Sequence, residues 1–337
     1  QLTIKNELTE LGYKQLLPLL INCSGFQTVT HFDLSGCKKA VPESILLQLT
    51  NLTTLNLNSC LLDICILLTD LNRSRSLPLA EISVCENFCS ENLDPSFLLS
   101  KSLKSFHADN VVWRGNSLQS FFTIVSQTKD LREVNLSLQG VQLNDWQTFD
   151  SFLQNTSNNN IVSLDFSNNP IYSGFCTFLN NSCKLTKLTL AGCFANGKTE
   201  IQIFAKYFGS NTYLRELYVI GTPQSFLADS IIFLFNAISG NTNIKTLDIS
   251  SNLVGNKLLP MLVDLLAATP SITSLIFDHN NITDPKQFTS FIDSLMKIYC
   301  TTFIHLPTFD LEQMINRGLI TQAQINELNQ KYQSSLN

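Results

Sequence analysis

Large apolar residues recur along the chain in a short, fixed pattern. Positions one, four and six are apolar and position nine is often Asn or Cys, as in Leu52, Leu55, Leu57 and Cys60. Successive matches begin 23 to 30 residues apart, at Val29, Leu52, Leu79, Leu103, Leu131, Ile161, Leu185, Leu214, Ile244 and Ile272. Such even spacing over so many matches indicates an internal repeat, in which each copy is one structural unit.

Each match predicts a short β-strand. Side chains alternate between the two faces of a strand, so the fourth and sixth positions point into the core and the third, fifth and seventh point away from it. An Asn or Cys at the ninth position can hydrogen-bond backbone groups where the chain leaves the strand. Stacked copies of this strand predict one parallel sheet.

The residues between these strands predict helices. Apolar residues follow the i, i+3, i+4, i+7 spacing of one helix face at Ile201, Phe204, Ala205 and Phe208, at Ile231, Leu234, Phe235 and Ile238, at Leu258, Met261, Leu262 and Leu265, and at Phe288, Phe291, Ile292 and Leu295. A helix in each copy would return antiparallel to the strand. The expected fold is therefore α/β, a leucine-rich-repeat solenoid (horseshoe) with a parallel sheet on its concave side and helices on its convex side. Repeats of this length that contain helices resemble the ribonuclease-inhibitor class.

The two ends of the chain differ. Leu2 and Ile4 align with the fourth and sixth positions of a strand, so the chain begins within a repeat, and we expect it to be part of a longer protein. Two capping patterns follow Pro307, at Asp310 with Gln313 and at Thr321 with Gln324. We predict about eleven leucine-rich repeats over residues 1–306 and a C-terminal helical cap over residues 307–337, because a solenoid needs closed ends.

Composition narrows the classes of partner. Only 15% of residues are charged, and the net charge is −5 with no basic block. Nucleic acid and anionic membranes are therefore not the expected partners, since both are normally bound through basic surfaces. The most apolar stretch, Phe226 to Ile238, contains Asp229 and is too short to span a bilayer. The ten cysteines show no paired metal spacing, and we interpret them as mainly buried, reduced thiols of a cytoplasmic protein.

No chemistry-bearing motif stands out. The four histidines lie outside any HExxH pattern, and the chain contains no GxSxG, GxGxxG or phosphate-binding GxxxxGK[ST] motif. We therefore predict no catalytic, cofactor or metal site. Asn-x-Ser/Thr sequences occur seven times in the sequence, at Asn22, Asn51, Asn72, Asn135, Asn155, Asn180 and Asn281, and we interpret them as accidental in an Asn-rich chain.

The face of the sheet turned away from the helices is the candidate binding surface. Its predicted contact residues are the acids Asp109, Glu133, Asp165, Glu216, Asp248 and Asp278, together with Lys187, Tyr218 and Ile276. A mostly acidic surface with apolar area near its C-terminal half suits a partner that has basic and apolar groups. The alternative is that these charges only keep an unpartnered sheet soluble.

The C-terminal residues carry a family resemblance. FIHLPTFDLEQM, followed by TQAQINELNQKYQ, resembles the strand-Pro-x-x-Asp ending and closing helix of the repeats in the CARMIL family of actin-regulatory scaffolds. That resemblance implies a cytoskeletal protein partner. It also implies that this chain is the repeat domain only, because CARMIL proteins have a membrane-binding domain before the repeats and a disordered capping-protein-binding tail after them.

Three functions remain open at this stage. The first, which we favour, is a non-enzymatic intracellular scaffold that regulates actin assembly through a protein partner. The second is an inhibitor or sensor domain that binds a basic protein on the acidic face. The third is a cell-surface adhesin, which occupied glycosylation sites or disulfides would favour. A homodimer is one further candidate for the partner.

Overall fold

The architecture is that of a computed structural model, and it divides into two compact units. The structure describes residues 1–4, 15, 18–20, 22–23, 25–38, 48–73, 77–90, 93, 101–128, 131, 133–195, 198–209, 211–298 and 303–335. The first unit comprises Gln1–Phe166 with Asn181–Leu185, and the second comprises Ser167–Asn180 with Thr186–Asn337.

The first unit contains ten short strands and three described helices. The strands are β1 (Leu2–Thr3), β2 (His31–Asp33), β3 (Thr54–Asn56), β4 (Glu81–Ser83), β5 (Phe88–Cys89), β6 (Ser105–His107), β7 (Val112–Trp113), β8 (Val134–Ser137), β9 (Gln142–Leu143) and β10 (Ile161–Asp165). The helices are α1 (Ile64–Arg73), α2 (Ser117–Gln127) and α3 (Trp146–Gln154), and a 3-10 turn spans Phe26–Thr28. One parallel sheet runs β1-β2-β3-β4-β6-β8-β10, and a second, smaller parallel sheet runs β5-β7-β9.

The second unit alternates strands and helices more regularly. Its elements are α4 (Ser173–Asn180), β11 (Lys187–Thr189), α5 (Lys198–Phe208), β12 (Glu216–Tyr218), α6 (Ile231–Ile238), β13 (Thr246–Asp248), α7 (Leu258–Ala268), β14 (Ser274–Ile276), α8 (Pro285–Lys297), β15 (Phe303–His305), α9 (Thr308–Asn316) and α10 (Gln322–Ser335). Strands β11 to β15 pair in chain order, all parallel. None of the described helices combines the length and apolar character needed to cross a membrane.

Burial shows which face of each sheet the helices cover. The central residue of most main-sheet strands is buried and its two neighbours are not, as with Leu217 between Glu216 and Tyr218. Phe288 and Phe291 on α8, with the other predicted stripe residues of α6 and α8, are buried as well. In each unit the helices therefore pack on one face of the sheet and leave an open face. This confirms the predicted strand-plus-helix repeat.

The ninth-position side chains bond the turns, as the sequence predicts. The amide nitrogen of Asn252 donates to the carbonyls of Val219, Ile249 and Ser250, and its oxygen accepts from the N–H of Leu227. Cys60 fills the same position in another repeat and donates only, to carbonyls that include that of Leu34. Asn is therefore the more complete solution, because its side chain serves both donors and acceptors of the buried turn.

One predicted register is wrong. The sequence match that begins at Leu131 would pair Phe106 with Val134, but the structure pairs Phe106 with Leu136. The error is two residues, and an alternating pattern of period two looks the same after such a shift. Glu133 was predicted on the open face. It instead precedes β8, exposed and with a left-handed φ of 58°.

The two described C-terminal helices begin differently. Thr321 and Gln324 form the predicted capping box, in which each side chain accepts from the other residue's backbone N–H. Asp310 does not cap α9 as predicted. It lies inside the first turn of α9, and its carboxylate accepts from the backbone N–H groups of Asn280 and Asn281.

Candidate functional site

The predicted site residues of the first unit are engaged with neighbouring strands. Asp109 accepts from the Ser137 hydroxyl at 2.6 Å and from the Gln139 backbone N–H at 2.9 Å. Asp165 accepts from the Gln139 side-chain amide at 2.9 Å. These two carboxylates therefore fix the turn at the end of β8. Ser137 and Gln139, which the shifted register hid, belong to the same face.

Lys187, Glu216 and Tyr218 form one cluster on the open face of the second unit. Lys187 lies opposite Glu216 in the β11–β12 pairing, with its Nζ 3.7 Å from Glu216 Oε2. The Tyr218 hydroxyl donates to the same Oε2 at 3.0 Å. The Lys187 ammonium also lies 5.1 Å from the centre of the Tyr218 ring, within the range of a cation–π contact. A single carboxylate thus orients both a cation and an aromatic ring.

The chemistry of Tyr218 follows from this arrangement. Burial raises its pKa to about 12, and the hydrogen bond to Glu216 and that residue's charge act in the same direction. The phenol therefore stays protonated at any physiological pH. It presents a half-buried aromatic face whose hydroxyl proton is already bound within the cluster.

Asp248 lies beside Tyr218 on β13 and is less accessible than its position in the sequence implies. Only 8% of the residue is exposed. Burial raises the pKa of its carboxyl group, partly offset by the hydrogen bond from Ser250 N–H at 2.9 Å and by the nearby His305. Its oxygens thus help to hold the turn after β13, so a partner has limited access to them.

Asp278 is committed to the fold. Its carboxylate accepts from the Thr308 hydroxyl at 3.0 Å, from the Phe309 N–H at 3.1 Å and from the Asp310 N–H at 3.3 Å. It therefore caps the N-terminus of α9, where a negative charge is favourable. Sequence reasoning placed Asp278 on the face but could not see this long-range bond.

The structure adds Phe303 and His305 to the face. In β15 they lie opposite Ser274 and Ile276 respectively, and Ile276 is half-buried on the open side. Phe303 is 48% exposed, and its ring meets the His305 ring edge-on with 4.8 Å between centres. The His305 Nε2 is 3.1 Å from the Ser274 hydroxyl oxygen. Extending the repeat alignment by one copy would have placed both residues here.

The face of the second unit is thus mixed in character, and the predicted acidic surface is modified in three ways. Lys187 partly neutralises Glu216, Asp248 is largely buried, and Asp278 is bonded to α9. Exposed aromatic surface at Phe303 and Tyr218 makes up much of the remainder. In the described part of the chain, no group of three or more His, Cys, Asp and Glu side chains is placed to hold a metal ion.

Comparisons with known proteins give weak similarities. No protein-family model matches the chain. An internalin of Listeria monocytogenes is similar in structure, with 16% identity over 90% of this chain and 92% of that chain and a TM-score of 0.43. The yeast Rad7–Elc1 complex contains a chain with 17% identity over 85% of this chain and 77% of that chain, at a TM-score of 0.41. The assignment of an α/β leucine-rich-repeat fold therefore rests on the strand register and burial of this chain itself.

Proposed function

We propose that the chain is a non-enzymatic protein-interaction scaffold whose protein partner docks on the open face of the second unit. The observation that carries the proposal is a set of half-buried or exposed side chains held in one strand register: Lys187, Glu216, Tyr218, Ile276 and Phe303. Neighbouring strands lie about 4.8 Å apart. One partner surface can therefore touch all of them without any rearrangement of the sheet.

The chemistry of the face suggests the chemistry of the partner. Phe303 and Tyr218 offer aromatic area of the kind that anchors protein interfaces. A basic group of the partner could compete with Lys187 for the carboxylate of Glu216, which the two would otherwise share. The expected partner surface therefore presents apolar side chains beside at least one Lys or Arg.

A cytoplasmic, cytoskeletal setting is part of the proposal. Its support is the resemblance of the C-terminal residues to the CARMIL repeats, together with the burial of Cys37, Cys60, Cys89, Cys176 and Cys193. Actin regulation would then depend on what the open face recruits. Imaging of the endogenous protein with actin filaments tests this setting, and a distribution unrelated to actin would contradict it.

An inhibitor of a basic protein is a second candidate, favoured by the acids Glu216 and Asp248 on one face. It differs from the scaffold in one measurable respect, since binding would suppress an activity of the captured partner. A cell-surface adhesin would instead carry glycans at its Asn-x-Ser/Thr sequences, and intact-mass measurement of the native protein decides this. A homodimer would show as twice the monomer mass in light scattering.

The experiment captures the partner by position. A photo-crosslinking phenylalanine analogue replaces Phe303 on the open face, and in a matched protein it replaces Tyr213, which is exposed but precedes β12. We expect one protein to crosslink at position 303 and not at 213. Equal capture at both positions would count against a specific face.

Titration of the purified partner then tests the site. Tyr218→Ala should weaken binding by about 1–3 kcal/mol if Tyr218 is an anchor, whereas Tyr213→Ala should leave it unchanged. Glu216→Gln should mainly slow association, and more so at low salt, because a charge near the rim acts on the encounter rate. Equal affinity of all variants would place the contacts elsewhere on the chain.

A further inference from the structure

A second concave surface lies at the carboxyl ends of the strands in the second unit, where the turns meet α9. It encloses about 510 Å³ and is lined by residues that include Leu253, Ile282, Phe309, Gln313 and Arg317. We name it the α9 pocket. Its size lies within the range of sites that hold ligands. None of its lining residues belongs to the Lys187–Glu216–Tyr218 cluster, so the two surfaces can be tested separately.

The walls of the α9 pocket are fixed by the backbone. Leu253 and His279 have left-handed φ values of 53° and 57°, which set the direction of their side chains. A Cβ atom at Gly221 would lie 1.9 Å from the Ser251 carbonyl oxygen, so two turns approach each other here as closely as glycine permits. The buried Asp310 carboxylate accepts two backbone N–H groups from the next turn. The pocket is therefore preorganised, which lowers the entropic cost of binding.

The apolar side chains in this pocket are unusually accessible. Leu253 is 47% exposed and Phe309 is 42% exposed. The His279 ring stacks on the Phe309 ring with 4.0 Å between their centres and an angle of 18° between their planes. The stack makes a flat wall opposite an aliphatic one, an arrangement that suits one bulky apolar side chain of a ligand.

The charge in the pocket is positive. Arg317, at the C-terminal end of α9, is exposed and has no ion-pair partner among the residues that the structure describes. The only acid in the lining, Asp310, is 2% exposed and bonded to two N–H groups. A ligand that fills the apolar part would therefore gain from a carboxylate placed near Arg317, because a guanidinium fits a carboxylate through paired hydrogen bonds.

We propose that the α9 pocket binds a short peptide segment of a partner protein in which a bulky apolar residue lies next to an Asp or Glu. The apolar side chain enters between Leu253 and the His279–Phe309 stack, and the carboxylate pairs with Arg317. The Gln313 side chain lies in the same lining and has amide groups that match a peptide backbone. This preference for an acidic segment is opposite to that of the open face, and the proposal does not depend on the proposed function.

The test starts from random heptapeptides displayed on phage and selected on the full chain. We expect the enriched peptides to share an acid within two residues of a Phe, Leu, Ile or Trp. Leu253→Asn should lower their affinity about fivefold, since it removes half-exposed apolar area, and Asn accepts a left-handed φ without strain. Arg317→Gln should lower it about threefold and abolish the difference between a peptide and its Glu→Gln form.

Matched controls are available within the chain. Leu61→Asn alters a leucine with the same left-handed φ, 54°, and a similar exposure, 51%, in the first unit. Arg215→Gln removes an exposed arginine outside the pocket. Neither should change the affinity. The proposal is overturned if no peptide is enriched, if the enriched peptides lack an acid, or if Leu253→Asn and Arg317→Gln bind like the parent. A loss on Tyr218→Ala equal to that on Leu253→Asn would assign the peptides to the open face and would also overturn it.

Discussion

The ninth-position asparagine allows the strength of the repeat to be measured directly. Asn252 is 1% exposed and makes four hydrogen bonds, donating to Val219, Ile249 and Ser250 and accepting from Leu227. Asn252→Ala removes the partner of the Leu227 N–H and the side-chain donor to three carbonyls. Leaving a buried polar group without a partner costs about 1–3 kcal/mol. We expect a total loss of about 3–4 kcal/mol for the second unit, with one orphaned N–H and weakened carbonyl bonding.

The chain itself suggests the conservative variant. Cys60 occupies the equivalent position and donates to the carbonyl of Leu34 at 3.1 Å. Asn252→Cys should therefore keep the donor to Val219 and lose the acceptor for Leu227. The expected cost is about 1–2 kcal/mol, between the parent and the alanine variant.

Hydrogen exchange measured at several urea concentrations is the suitable assay, because two compact units need not unfold together and a single melting curve would average them. Peptides that cover β12 and α6 report on the second unit, and those that cover β2 and β3 serve as the internal reference. If the alanine and cysteine variants lose equal stability, the acceptor role of Asn252 is not what matters. If alanine costs less than about 1 kcal/mol, the hydrogen-bond argument fails altogether.

Three further predictions concern the second unit. Asp278→Ala should loosen α9 by about 1–2 kcal/mol, the range for a lost N-cap, and amide exchange at Phe309 should rise selectively. Burial raises the folded-state pKa of Asp248, so the folded unit binds more protons than the unfolded chain just above the ordinary aspartate pKa; its stability should fall as pH rises through that window, and Asp248→Asn should flatten this part of the urea-midpoint profile. Deleting residues 299–337 removes α9 and α10, and with them the Lys331–Asp293 ion pair, and should uncover α8; an unchanged melting temperature and unchanged solubility would contradict the proposal that these residues form a cap.

The fold could be predicted because each repeat carries its own local pattern. Leu217, Leu247 and Leu275 occupy the same position in three copies, and the structure pairs them as the alignment requires. The pattern failed near Leu131 because alternation cannot distinguish a shift of two residues, and this error moved Glu133 onto a face where it does not lie.

The candidate site was harder to predict than the fold. Strand alternation correctly placed Glu216 and Tyr218 side by side. It could not show that Asp248 is buried or that Asp278 bonds α9, since both depend on residues two to thirty-two positions away. The α9 pocket was missed altogether, because it is formed by turns whose direction depends on left-handed residues such as Leu253.

The strict pairing of β11 to β15 has a consequence for how recognition could evolve. Backbone hydrogen bonding keeps adjacent strands about 4.8 Å apart, whatever the length of the segment that connects them. The open face is therefore a lattice of constant pitch, with rows such as Tyr218, Asp248, Ile276 and His305. Mutation can change the chemistry of one lattice point while its neighbours keep their coordinates. A partner with matching periodicity could thus be gained or exchanged one contact at a time, and insertions on the helical side would leave that spacing intact.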